Sequence, residues 1–183
     1  MKFLTLTAIA AVLALGACNK SDTTADDNFA IPNEVSNDAT ANAGAARGID
    51  TAFLTEAMQG DNGEVAIGQL AQAQGVSQKV KDFGKLLADD HGAHKEELKT
   101  LAATAGVAVA DEPSAEGKAN LEKLKTLSGV DFDKQFKSMM VEDHTKDITK
   151  YEKQAASADA QTAALAKKTL PTLRKHLDVA KAL

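Results

Sequence analysis

Residues 80–105 read VKDFGKLLADDHGAHKEELKTLAATA, and this stretch decides the fold. Val80, Gly84, Leu87, His91, His94, Leu98, Leu101 and Ala105 stand alternately four and three residues apart. That spacing puts them in one stripe along an α-helix. An unbroken stripe of this length is the seam of a helix packed in a bundle. Ser77 is placed to cap its start and Gly106 to end it. Two histidines interrupt an otherwise apolar seam.

The same period continues on both sides. Upstream, Asp50 reads as the N-cap of a first helix carrying Phe53, Ala57, Glu64, Ile67 or Gly68, and Ala71, and Gly75 stops it. Downstream, Pro113-Ser114 begins a short helix with Leu121, Leu124 and Leu127, closed by Ser128-Gly129. Asp131 reads as the cap of a third long helix with Phe132, Phe136, Met140, His144, Ile148, Tyr151 and Ala155. After a turn at Ser157-Ala158-Asp159, a fourth presents Ala166, Thr169, Leu173, His176, Ala180 and Leu183. Pro171 should kink it. The short first and last connections predict antiparallel hairpins. The long, partly helical middle connection predicts an all-α, ferritin-like four-helix bundle with one crossover between helices two and three. An up-down-up-down bundle with a decorated loop is the other arrangement.

Composition agrees. The chain of 183 residues has 4% aromatics and no Trp, which argues against a sandwich or barrel. Its 21 Lys and Arg against 26 Asp and Glu give a net charge of −5. It therefore lacks the phosphate-neutralising charge of a nucleic-acid binder. No nucleophile elbow, Gly-rich phosphate loop or CxxC pair is present, so the expectation leans away from an enzyme.

The N-terminus reads as an address. Met1-Lys2 is positive, Phe3 to Leu15 is apolar, and Gly16-Ala17-Cys18 follows. The apolar run is shorter than the ~20 residues of a membrane-spanning helix. Leu15-Gly16-Ala17-Cys18 resembles the bacterial lipobox, which implies a signal peptide over 1–17 and a lipidated Cys18. Neither Asn19 nor Lys20 is the Asp that, by the same resemblance, retains lipoproteins at the inner membrane. The expectation is therefore an outer-membrane lipoprotein facing the periplasm, its membrane partner reached through the acyl chains. Residues 18–49 carry Cys18 and an Asn-, Asp-, Ala- and Thr-rich tether, and 50–183 form the domain. With the only Cys acylated, no free thiol remains.

All four histidines lie on or beside the seams. FGKLLADDH at 83–91 and FKSMMVEDH at 136–144 align without gaps, placing a Phe, an acid pair and a His at one spacing on two helices. Polar groups inside a bundle are costly unless hydrogen-bonded or bound to metal. Glu64, His91, His94, His144 and His176 are therefore the candidate metal ligands, for Fe, Zn or Cu. Asp90 and Asp143 lie about 100° around the helix from their neighbouring His, as acceptors that would orient ligands. The pattern departs from a di-iron centre: Ala88, His91, Val141 and Leu173 occupy the positions three before each His, where a Glu would be needed. The alternative is a structural or stress-associated interaction domain whose histidines and Glu64 form a buried polar layer.

Asp50-x-x-Phe53, Gly63-Glu64, Val80-Lys81-x-Phe83, Asp89-Asp90-His91, Leu127-x-Gly129-x-x-Phe132-Asp133, Asp143-His144 and Leu170-Pro171-x-Leu173-x-x-His176 together resemble a bacterial family of unknown function. Its members are labelled outer-membrane or exported proteins and grouped with ferritin-like folds. The resemblance covers residues 50–183. It implies an exported bundle without an established activity, with Glu64, His91, His144 and His176 at the family's recurring polar positions.

Overall fold

The computed structural model describes residues 48–183, which contain five α-helices and no strand. The expected signal peptide, Cys18 and nearly all of the tether lie outside the described residues. No helix among those described is long and apolar enough to cross a membrane.

Helix α1 spans Thr51–Gln74, α2 Gln78–Ala105, α3 Ala115–Lys125, α4 Gly129–Ala155 and α5 Ala160–Lys181. Local chemistry explains most boundaries. The Asp50 carboxylate accepts from Phe53 N at 2.9 Å and Ser77 Oγ from Val80 N at 3.2 Å, each satisfying an orphan donor of the first turn. Gly106 ends α2 at φ 67°, in the left-handed region that favours glycine. Ser114 Oγ caps α3 through Gly117 N.

Three local expectations are corrected. Helix α4 starts at Gly129, with Ser128 rather than Asp131 in the cap position; Gly129 takes φ 62° and turns the chain into it. Asp131 then lies in the first turn, where its charge meets the positive helix end. On α2 the buried position passes from Leu101 to Ala102, because 3.6 residues per turn drift against a strict alternation of three and four. The packed chain also begins earlier than residue 50: Ile49 is buried, and the Gly48 carbonyl accepts from Gln161 N at 2.9 Å.

Helices α1 and α2 form one antiparallel hairpin and α4 and α5 the other. At one end of the bundle the Asp133 carboxylate, near the start of α4, accepts from Val76 N and Ser77 N in the α1–α2 turn, both at 2.9 Å. At the opposite end Gly48 joins the starts of α1 and α5. Helices α2 and α4 therefore run in the same direction, and the link carrying α3 traverses the bundle. The four long helices thus form an all-α bundle with one long crossover, between α2 and α4.

Two apolar clusters fill the bundle. One gathers Phe53, Leu54, Met58, Leu98, Tyr151 and Leu173, and the other Ile67, Phe83, Leu87, Phe132, Phe136 and Met140. Along each of the four long helices, the buried side chains between the two clusters are polar.

Candidate metal centre

The polar layer is built from one turn of each long helix. On α1, the seam from Ala57 to Ile67 passes through Asp61 and Glu64; α2 contributes His91 and His94, α4 His144 and α5 His176. All six side chains are buried.

Each histidine is oriented through one ring nitrogen. His91 Nδ1 donates to Asp61 Oδ1 at 2.9 Å, and His94 Nδ1 to Asp61 Oδ2 at 2.8 Å. His144 Nδ1 donates to the Met140 carbonyl at 3.0 Å, one turn back on its own helix. His176 Nε2 donates to Asp90 Oδ2 at 2.9 Å. These acceptors carry no proton of their own, so they set the tautomers.

The remaining nitrogens then face one another. His144 Nε2 and His176 Nδ1 are 3.3 Å apart, and each, as a neutral ring, directs a lone pair at the other. His91 Nε2 is buried without a hydrogen-bond partner. One nitrogen from each of His91, His144 and His176 lies within 4.8 Å of the other two. Three imidazoles from three helices thus border one space, and Asp61, Asp90 and a backbone carbonyl each bond one of their ring nitrogens. Such outer contacts set ring orientation and raise ligand basicity at metal centres.

Electrostatics divides the layer. Burial and the charge of His91 hold His144 down at about 3. Burial likewise lowers His176 to about 4, despite its bond to Asp90. Both are neutral and ligand-competent at pH 7. For His91, burial works against the charged form, but the hydrogen bond and charge of Asp61 outweigh it and raise the ring to about 9. The Asp61 carboxyl is held low because its two histidine hydrogen bonds outweigh its burial. Burial raises Glu64 to about 8, and neighbouring Asp143, Asp147 and Asp61 add to the rise against the opposing charge of His91.

Of the residues expected to form a site, the structure brings together His91, His144 and His176. His94 stays with Asp61 and packs its ring near Tyr151, centroids 5.9 Å apart. Glu64 faces a neighbouring cleft with Asp143, which touches no histidine. Asp90 orients His176 rather than its sequence neighbour His91. The residue that sequence reasoning missed is Asp61. Its signal was the gap between Ala57 and Glu64, twice the normal seam step, with Asp61 at the skipped position.

Residues 35–183 match the family described as Domain of unknown function (DUF4142). The chain belongs to the DUF4142 family. The match begins ahead of the expected domain start at residue 50 and reaches the last residue. No curated protein matches this DUF4142 chain. Among solved structures, a crystal structure of a DUF305 fragment from Deinococcus radiodurans is similar, with a TM-score of 0.64 and 13% identity. The similarity covers 72% of this chain and 92% of that one. At that identity the likeness concerns the helical fold alone.

Proposed function

We propose that this DUF4142 domain binds one transition-metal ion through His91, His144 and His176, on a lipoprotein anchored by Cys18 to the outer membrane and facing the periplasm. The observation that carries the metal reading is the convergence of three imidazole nitrogens within 4.8 Å while their other nitrogens are bonded outward. A cation between His144 Nε2 and His176 Nδ1 would turn a lone-pair repulsion into two bonds, and its bond to His91 Nε2 would release the proton that this ring holds at pH 7. Imidazole donors suit Zn, Cu and Fe, and three protein ligands leave a coordination position open. The lipobox at Leu15–Cys18 supports the anchor, and the one-crossover connectivity supports grouping the domain with ferritin-like bundles.

The test is elemental analysis of the full chain purified from bacterial envelopes, with a lipid-bearing Cys18 peptide sought by mass spectrometry. About one ion per chain is expected, falling to background in His176→Asn. Absence of metal from both proteins, and no uptake of added Zn²⁺ or Co²⁺, would overturn the metal reading; an unmodified Cys18 would overturn the anchor. The second reading, a structural polar layer, is favoured by the grip of Asp61 on His91 and His94. It predicts that His176→Asn alters folding stability alone.

A further inference from the structure

Beside the histidine layer, a cleft of about 270 Å³ opens between α1, α3 and α4. Glu64, Asp143 and Asp147 line it, together with Glu56 and Glu116. Its two lysines are already engaged. Lys150 pairs with Glu56 at 3.3 Å and Asp147 at 3.8 Å, and Lys146 with Glu142 at 2.7 Å and Glu116 at 3.8 Å. Asp143, on the same face of α4 as Asp147, makes no hydrogen bond or close ion pair with the other described residues. Glu64 forms part of the wall, is 6% exposed, and its Oε2 is buried without a partner. A buried carboxyl oxygen without a hydrogen-bond partner is costly, and here it borders an acidic space large enough for an ion.

We propose that this cleft is a second cation site, where Glu64, Asp143 and Asp147 hold a hydrated divalent cation of the hard, oxygen-preferring class. The donor set contains oxygen alone, unlike the nitrogen set of the histidine centre. The three carboxylates do not converge as closely as the three imidazoles, so the ion keeps water ligands between them. The volume allows this, since a water occupies about 30 Å³ in the liquid. The site draws on different residues from the histidine centre and does not depend on that centre holding a metal.

Mn²⁺ is the probe, titrated into the metal-free full chain and followed by electron paramagnetic resonance. Asp143→Asn/Asp147→Asn should weaken Mn²⁺ binding at least tenfold. Glu64→Gln, which preserves shape, should weaken it in the same direction. His144→Gln should leave Mn²⁺ affinity unchanged. Co²⁺ absorption, sensitive to nitrogen ligation, reads the histidine centre in the same proteins and should be unaltered by Asp143→Asn/Asp147→Asn. No Mn²⁺ binding, an affinity indifferent to the carboxylate changes, or a loss confined to His144→Gln would overturn the second site. Absence of a Co²⁺ spectrum would count only against the histidine centre.

Discussion

Asp61 is the residue on which the polar layer turns. It is 3% exposed, and each of its oxygens accepts from a different imidazole. An amide in its place keeps one acceptor and turns a donor toward the other ring. Breaking a buried charged pair by removing one partner typically costs about 3–5 kcal/mol. Asp61→Asn should therefore destabilise the fold on that scale in urea unfolding, and loosen metal binding roughly 10–100-fold through misorientation of His91. A change under about 1 kcal/mol would show that Asp61 does not carry the layer. At this scale the sequence was only partly legible. Asp90 and Asp143 occupy equivalent places in the two matching nonapeptides, yet Asp90 meets His176 and Asp143 meets a cleft. The neighbouring helix decides between those outcomes, and no local pattern encodes it.

At the scale of elements, the α1–α2 hairpin shows why a glycine can belong inside a helix. A Cβ on Gly84 would lie 2.6 Å from the Gly68 carbonyl oxygen and 2.8 Å from Gln72 N, both backbone atoms that cannot swing aside. Gly92, two turns later on α2, would meet nothing within 4 Å. The same substitution should thus have opposite signs. Gly84→Ala should force the hairpin apart and cost about 1–3 kcal/mol. Gly92→Ala should gain about 0.5–1 kcal/mol from helix propensity alone. Thermal unfolding of the two variants beside the parent checks the pair, and equal shifts would refute the close approach. The seam periodicity made Gly84 visible as a buried position. The reason for glycine there became visible only with the opposing backbone in place.

For the whole molecule, a titratable layer divides two apolar clusters, so stability must depend on pH. In the metal-free protein His91 has its affinity for a proton raised from 6.5 to about 9 by Asp61, against the opposing effect of burial. Its contribution is complete below 6.5 and lost as pH rises through 9. Glu64, raised by burial from 4.5 to about 8, makes ionisation costlier in the fold than in the unfolded chain, so its effect also diminishes stability on the alkaline side. Below pH 6.5 the trends oppose: His144 and His176 resist protonation, while Glu64 and Asp143, raised to about 6 by burial, retain protons. The melting temperature should fall between pH 6.5 and 9 by several degrees, as each kcal/mol moves it about 2–8 °C. Glu64→Gln should flatten part of that fall. A melting temperature constant or rising across the interval in calorimetry would contradict the assignment.

The sequence by itself determined the helices, the caps at Asp50, Ser77 and Ser114, the two hairpins and the placement of four histidines on seams. These follow from the 3.6-residue period and from hydrogen bonds made within a few residues. Tertiary structure alone decided that α2 and α4 run parallel, that Asp61 holds two rings, and that three imidazoles converge while His94 and Glu64 stand apart. Convergence depends on the rotation and height of each helix against its neighbours. Packing of side chains distant in sequence sets those quantities, and no spacing along one helix records them.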